Sequence, residues 1–221
     1  SKNVNNVFVI KEKNESRDLI LRNDITLQIA RLANSRLKHK TRPLKLCYYG
    51  EVIRKKGTML RPERQFLQVG AECIGENSFL ADIEILDLAY QALLTVGIKN
   101  ISIELSSCEF LNLLINKVKK NYNRDKIMSF IRKKDINNCL KYIDPSLHSY
   151  AKNLLFCTGN LVEKKEFLKN LMVNKNTENS AKQLLNIYSD FSSKHSGVNF
   201  FLDLSEGNYF DYHTGIRFTF F

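Results

Sequence analysis

Residues 43–75 constrain the fold more than any other segment, because two strand-like runs there flank a short basic connection. In a β-strand, successive side chains point to opposite faces. One face of the second run suits a hydrophobic core and carries Leu67, Val69, Ala71 and Cys73. The opposite face carries Phe66, Gln68, Gly70, Glu72 and Ile74. The pattern predicts a β-hairpin with one apolar face and one mixed face.

The mixed face predicts a small polar pocket. Gln68 and Glu72 flank Gly70, which has no side chain to fill the space between them. An amide and a carboxylate around such a notch suit a small polar molecule with a positive group. A sheet face turned to water is the alternative interpretation, and it is the commoner reason for polar alternation. Phe66 and Ile74 on the same face argue against simple solvation.

Two arginines stand where this pocket would open. Residues 44–54 are predicted to pair antiparallel with the second strand, which places Arg54 and Arg64 at the margins of the connection. A planar guanidinium binds two oxygens at once and therefore suits a phosphate or a carboxylate. A solvated basic loop without a ligand is the alternative, and charge alone favours it.

Three segments, in the expected order along the chain, resemble motifs of class II aminoacyl-tRNA synthetases. The hairpin resembles motif 2 in the form found in histidyl-tRNA synthetase and in its paralogue, the ATP phosphoribosyltransferase regulatory subunit. Residues 21–31, LRNDITLQIAR, resemble that family's strand-to-helix segment. Residues 210–218, FDYHTGIRF, resemble its Asp-Tyr-Tyr/His-Thr-Gly strand. Within the family, the runs RPLKLCY, MLRPERQF and YHTG are similar to the regulatory-subunit branch.

The resemblance implies an α+β fold of the class II synthetase type. This fold has a mixed or antiparallel sheet flanked by helices, here with a helical insertion at residues 109–196 inside one core domain, residues 1–221. Carried over by position, the histidine-pocket candidates are Asp24, Thr26, Gln68, Glu72, Tyr212 and His213. Arg54 and Arg64 match the arginines that face ATP phosphates and are the anion-binding candidates. The resemblance implies no cofactor, no metal ligand and no catalytic residue in this branch.

Departures from the synthetase pattern argue against catalysis by this chain. Asn208 stands where synthetases of this family carry an arginine that stabilises charge during histidine activation. A neutral amide does not replace a delocalised positive charge at a transferring phosphoryl group. Segments resembling motif 1, motif 3 or an anticodon-binding domain are not recognised, and Asn23 replaces the family's proline. We therefore expect no adenylation, and both a fragment of a longer protein and a degenerate paralogue stay open as explanations.

Two functional interpretations follow from the resemblance. The first is a non-catalytic regulatory subunit that assembles with the short-form catalytic subunit of ATP phosphoribosyltransferase and mediates feedback inhibition by histidine. The assembly is expected to be oligomeric. The second is an enzyme, the catalytic core of a histidyl-tRNA synthetase, which the motif 2 strands favour and Asn208 opposes. A remnant paralogue with a different partner is a weaker third interpretation, because a shared fold does not determine function.

Composition agrees with a cytoplasmic protein that buries a substantial core. The chain has 221 residues, of which 43% are hydrophobic, and it has no apolar run of about eighteen residues that could span a membrane. Its net charge of +11 is spread along the chain, and a solvated helical face explains the lysines of residues 112–175 without an RNA groove. We expect no nucleic-acid partner. Five cysteines show no metal-binding spacing, and Cys47 and Cys73 are expected to be buried free thiols in apolar strands.

Hydrophobic periodicity predicts the remaining elements. In chain order these are strands at residues 7–10 and 18–22, a helix capped by Asn23 or Asp24 and running to about residue 36, a helix at 80–96, a strand at 101–105, helices throughout 109–196 with a break at Pro145, and strands at 198–204 and 212–221. His39, His148 and His195 lie in polar or helical surroundings and are predicted at the surface.

Overall fold

A computed structural model describes residues 7–11, 18–55, 57, 62–118, 124–205 and 214–221. The chain divides into two compact units, Ser1–Ile85 and Leu86–Phe221. The expectation of one core domain with an insertion stays a prediction. None of the helices in the described ranges is both long enough and apolar enough to cross a membrane.

The first unit is built around a long antiparallel hairpin. Strands β3 (Leu44–Ile53) and β4 (Gln65–Ile74) pair over ten residues each, from Leu44 opposite Ile74 to Ile53 opposite Gln65. Two short strands, β1 (Val9–Ile10) and β2 (Leu19–Ile20), form a second antiparallel pair. Helix α1 (Thr26–Asn34) packs on β4, and helix α2 (Phe79–Thr95) begins in this unit. The predicted hairpin and its pairing direction are confirmed.

The second unit is a mixed sheet with helices. Its strands are β5 (Ser102–Ser107), β6 (Thr158–Asn160), β7 (Asn199–Asp203) and β8 (Ile216–Phe220), in the spatial order β6-β7-β5-β8. Strand β5 runs parallel to β7, and the other two pairings are antiparallel. The helices are α3 (Cys108–Lys117), α4 (Arg124–Arg132), α5 (Ile136–Leu140), α6 (His148–Phe156), α7 (Leu161–Asn170) and α8 (Lys175–Lys194), with a 3-10 turn at Pro145–Leu147. The predicted mixed-sheet α+β architecture is confirmed.

Local sequence explains where the longest helix begins and which side of it is buried. The side chain of Asn174 accepts a hydrogen bond from the Thr177 amide, and the Thr177 hydroxyl caps the Asn174 amide in return. This reciprocal arrangement satisfies amides that have no partner inside the helix. Farther along α8, Leu184, Ile187 and Phe191 recur at helical spacing and are buried, so one stripe of the helix faces the core.

Several sequence-based expectations are wrong. Helix α1 begins at Thr26, with Ile25 at the N-cap position and no side-chain cap, although the Asp24 carboxylate accepts a long bond from the Thr26 amide. Strand β6 interrupts the helices predicted throughout residues 109–196. His195 is half-buried rather than at the surface: its side chain is 18% exposed, and its Nε2 lies 2.7 Å from Asp87 Oδ1. Its ring also contacts the rings of Tyr90 and Phe191.

The face of the hairpin that was assigned to a core is exposed instead. Leu67 is 61% exposed, Val69 is 73% exposed, and Tyr49, opposite Val69, is 80% exposed. Cys47 lies on the same face and is exposed, while Cys73 is half-buried, so the expectation that both thiols are buried is wrong. The buried thiols are Cys108, Cys139 and Cys157. Alternation separated the two faces correctly and did not reveal which one turns inward.

We expect the reactivity of the five thiols to follow how far each one is buried. Burial raises the pKa of Cys139 to about 11 and that of Cys157 to about 12, from an ordinary value of 9.0, so both remain unreactive thiols at pH 8. Ellman's reagent should therefore modify Cys47 quickly and Cys73 more slowly in the folded protein, and modify all five cysteines after denaturation. Cys47→Ser should remove the fast phase. Rapid modification of three or more thiols in the folded protein would contradict the structure.

A second prediction concerns the half-buried ion pair of the second unit. Lys134 Nζ donates to Asp203 Oδ2 at 2.6 Å, to Asp203 Oδ1 at 2.7 Å and to Thr158 Oγ1 at 3.0 Å, and it also contacts Ser205. Lys134→Ala leaves the buried Asp203 carboxylate without this cation, so the free energy of unfolding should fall by about 2 kcal/mol. Urea denaturation followed by circular dichroism measures the change.

The matched control for that variant is Lys169→Ala, which breaks a solvent-exposed pair with Glu166. Exposed pairs contribute little, so its free energy of unfolding should stay within about 0.5 kcal/mol of the parent protein. Equal losses of unfolding free energy in the two variants would show that burial of Asp203 does not increase the contribution of its ion pair with Lys134.

Candidate functional site

The candidate site lies on the inner face of the β3–β4 hairpin, where helix α1 begins. This face carries Val52, which is completely buried, and the half-buried Gln68, Gly70 and Glu72. Ile25, in the turn before α1, extends its side chain over the opposite strand at Gly50. The notch predicted from alternation, in which Gln68 and Glu72 flank Gly70, therefore lies under other residues of the same unit rather than facing water.

Asp24 and Gln68 form the first half of the site. Gln68 Nε2 donates to Asp24 Oδ1 at 2.9 Å, and Gln68 Oε1 accepts from the Ile25 backbone amide at 3.2 Å. The Gln68 side chain thus uses its donor on the Asp24 carboxylate and its acceptor on the next backbone amide. Asp24 is only 5% exposed, so this carboxylate is a buried acidic group. These contacts hold the start of α1 against β4.

Thr26 and Glu72 form the second half. The Thr26 hydroxyl donates to Glu72 Oε1 at 2.8 Å and lies 3.2 Å from the Tyr48 hydroxyl. Glu72 follows Gln68 by four residues and therefore points to the same face of β4. We call the group formed by Asp24, Thr26, Tyr48, Gln68 and Glu72 the cradle.

Tyr48 is the member of the cradle that sequence analysis missed. It lies directly opposite Gly70 in the hairpin register. A Cβ atom placed on Gly70 would clash with the hydroxyl oxygen of Tyr48, so the tip of the phenol occupies the space that a side chain would need. Burial is the largest cause that raises the pKa of Tyr48, and the carboxylates of Glu72 and Asp24 also raise it. The register of the predicted hairpin contained this signal, because it pairs an aromatic residue with the glycine of the notch.

The two predicted anion-binding arginines pair through the backbone, where the Arg54 amide donates to the Arg64 carbonyl at 2.7 Å, but their guanidinium groups contact different rings. The Arg54 guanidinium lies over the ring of Phe66, 4.8 Å from its centroid, on the same face as Gln68. The Arg64 guanidinium instead lies 5.5 Å from the centroid of Phe8 and lines a separate cavity of about 430 Å³ with Phe8, Leu21, Ile53 and Gln65. Arg54 therefore remains a candidate next to the cradle, whereas Arg64 belongs to another surface of the unit.

A third arginine, Arg22, which sequence analysis did not select, packs against strand β3 next to the cradle. Arg22 Nε donates to the Glu51 carbonyl at 2.7 Å, and the Arg22 carbonyl accepts from the Ile53 amide at 2.9 Å. Its guanidinium passes over Gly50, where an added Cβ would lie 3.2 Å from Nη2.

Tyr212 and His213, the remaining pocket candidates, lie outside the described residues.

The chemistry of the cradle suits a small ligand that donates hydrogen bonds. Two carboxylates, Asp24 and Glu72, are held on one face, and each already accepts a bond from a neutral partner, Gln68 or Thr26. A charged donor makes a stronger bond to a carboxylate than a hydroxyl or an amide does. In the part of the chain that the structure describes, no group of three or more potential ligands is arranged to hold a metal ion.

The fold is that of a class II aminoacyl-tRNA synthetase-like protein, and comparison with known proteins specifies the family. A family model described as histidyl-tRNA synthetase matches residues 1–221. The chain therefore belongs to the histidyl-tRNA synthetase family, as the motif resemblance implied.

Individual relatives are named for the regulatory branch. The chain is 31% identical over 215 residues to an ATP phosphoribosyltransferase regulatory subunit from Clostridium botulinum, covering 93% of this chain and 50% of that protein. A solved structure from Bacillus halodurans, described as an ATP phosphoribosyltransferase regulatory subunit/histidyl-tRNA synthetase, is 25% identical with a TM-score of 0.81 and covers 98% of this chain and 57% of that one. The chain spans about half the length of the curated relatives that it matches along most of its own length.

A third relative shares the fold at lower identity. A chain of the ATP phosphoribosyl transferase complex from Thermotoga maritima has a TM-score of 0.70 and is 19% identical, with 96% of this chain and 74% of that one covered. At this identity the likeness supports the fold alone.

We expect the cradle to contribute to stability as well as to binding. Gln68→Leu removes the two hydrogen bonds to the Asp24–Ile25 segment and leaves polar groups there with fewer partners, so the free energy of unfolding should fall by about 1–2 kcal/mol. The matched control is Gln65→Leu on the same strand, where the side chain is exposed and a small effect is expected. Urea denaturation of both variants makes the comparison, and equal losses would contradict a specific role for Gln68.

Proposed function

We propose that the full-length protein is a non-catalytic regulatory subunit of a short-form ATP phosphoribosyltransferase, acting in histidine biosynthesis. In this proposal it assembles in the cytoplasm with the short catalytic subunit, supports its activity and mediates its inhibition by histidine. The main support is similarity along 93% of the chain to relatives that carry the regulatory-subunit name.

The observation that carries the histidine part of the proposal is the geometry of the cradle. Asp24 and Glu72 present carboxylate oxygens from one face, beside the amide of Gln68 and the hydroxyl of Thr26. Histidine offers an ammonium group and a ring N–H, which are donors of the kind that partly buried carboxylates bind best. In this assignment the two carboxylates bind cationic or N–H groups and do not act as general acid and base.

The proposed absence of catalysis rests on the sequence around the third motif. Asn208 occupies the position of the synthetase arginine that stabilises charge during histidine activation. The second candidate function, histidine activation by a synthetase core, is favoured by the name of the matching family model and by the motif 2 hairpin. Histidine-dependent exchange between ATP and pyrophosphate, measured with the full-length protein, decides between the two.

Regulation follows from linkage between two binding events. If histidine binds one arrangement of the assembly more tightly than another, the assembly state changes histidine affinity by the same factor. A hydrogen-bonded cradle that joins a helix to a hairpin is a suitable element for this, because a ligand that replaces its internal bonds changes how firmly the helix is held.

Reconstitution with the catalytic subunit tests the proposal. The full-length protein should bind the short-form catalytic subunit from the same genome, raise its rate of phosphoribosyl transfer to ATP, and make that rate sensitive to histidine. Failure to bind or to activate that subunit would contradict the proposed regulatory role. Histidine-dependent pyrophosphate exchange by the protein alone would replace it with the synthetase assignment.

A point substitution tests the proposed histidine contact. Glu72→Gln keeps the shape of the side chain and removes its charge, so histidine affinity measured by calorimetry should fall roughly 10- to 100-fold, as expected for a lost charge-assisted hydrogen bond. Glu76→Gln, two residues beyond β4 at an exposed position, is the matched control and should bind like the parent protein. Unchanged affinity of a folded Glu72→Gln protein would remove Glu72 from the proposed site.

A further inference from the structure

Tyr48 occupies the space that the sequence alone assigns to a ligand. Its hydroxyl lies 3.2 Å from the Thr26 hydroxyl, and Thr26 in turn donates to Glu72. The tip of the phenol fills the position of the missing side chain at Gly70, and the side chain as a whole is half-buried, so one side of it remains open to solvent. A planar ring with a hydrogen-bond donor at its edge therefore already lies in the notch.

The arrangement suits a reversible lid better than a permanent core contact. A core residue is held by apolar neighbours on all sides, whereas the tip of the Tyr48 phenol meets the Thr26 hydroxyl and the open space at Gly70. Its hydroxyl lies 3.2 Å from the Thr26 hydroxyl and also interacts with the Glu72 carboxylate, and water can replace both contacts when the ring moves outward. A charged donor that reaches Glu72 competes well against such a contact.

We propose that Tyr48 is a ligand-displaced lid that closes the cradle in the free protein and moves aside when a small molecule with a planar N–H ring binds over Gly70. The inference rests on the proposed function in taking histidine as the ligand, and it adds the mechanism by which the site opens. It also assigns the specificity of the notch: the space over Gly70 accepts a flat ring and excludes a branched side chain.

The lid predicts a gain of affinity when its anchor is removed. Where the binding-competent state is only partly populated, the apparent dissociation constant rises by the inverse of that population. Tyr48→Phe deletes the hydrogen bond to Thr26 and keeps the ring, so the open state becomes more populated. Histidine should then bind about fivefold more tightly and associate faster, which corresponds to one neutral hydrogen bond. A hydroxyl that contacts the ligand directly would produce the opposite sign.

Two further variants separate the lid from the floor of the notch. Tyr48→Ala removes the ring, so association of histidine or of free imidazole should be faster than in the parent protein. Gly70→Ala places a methyl group where the phenol tip and the ligand ring would lie, so binding should weaken at least about tenfold, the cost of a severe steric misfit. Circular dichroism of each variant establishes that it is folded.

Fluorine NMR observes the lid directly in the parent protein. The chain has nine tyrosines, so 3-fluorotyrosine labelling should yield a spectrum in which the resonance missing from Tyr48→Phe identifies Tyr48. Saturation with histidine should shift that resonance. Stopped-flow mixing and calorimetry with histidine, on the parent protein and the three variants, complete the experiment.

Each outcome decides the matter. Tighter binding by Tyr48→Phe with a ligand-dependent shift of the Tyr48 resonance supports the lid, as does binding by Tyr48→Ala when the parent protein binds nothing. Glu72-dependent binding by the parent protein with equal or weaker binding by Tyr48→Phe overturns the lid and leaves the proposed histidine site intact. Absence of histidine and imidazole binding in the parent, Tyr48→Phe and Tyr48→Ala proteins overturns both.

Discussion

The first unit depends on side-chain hydrogen bonds that join the start of α1 to two residues on one face of β4. Gln68 bonds to Asp24 and to the Ile25 amide, while Glu72 accepts from Thr26. Buried polar groups are costly unless they are hydrogen-bonded, so the helix start and the hairpin must keep the same register for either element to be stable. The same contacts place two carboxylates on one face, which is what makes this part of the fold a candidate binding site.

The cradle is consequently satisfied by its own chain. A ligand meets carboxylates that already accept bonds from this chain, and it either displaces those bonds or uses the remaining lone pairs beside them. The neighbouring Arg54 is similarly engaged, since it lies over the ring of Phe66. The binding free energy at such a site is the difference between the ligand's contacts and the internal contacts that it replaces. Binding therefore changes how firmly α1 is held on the hairpin. This coupling is a physical basis for regulation by a small molecule.

The sequence predicted the secondary-structure elements more accurately than it predicted what their side chains contact. The hairpin and the helix that follows it were predicted from period and order, and the mixed or antiparallel sheet was implied by the family resemblance. The residues matched to the synthetase pocket include four that the structure brings together, Asp24, Thr26, Gln68 and Glu72. The guanidinium of Arg64 lies over Phe8 rather than beside the cradle, because a residue at a strand end can turn to either side, and its anion-binding role stays a prediction. Strand β6 was missed because three residues carry no usable period.

The sequence by itself determined the alternation of β4, the order of three family-like segments and the neutral residue Asn208. These follow from residue identity and spacing, which need no knowledge of distant contacts. Only the tertiary structure decided which face of the hairpin is inward, because both faces carry apolar side chains and the choice depends on where α1 packs. It also decided that Tyr48 covers Gly70, since that contact joins two strands whose register must form before the ring and the glycine can meet.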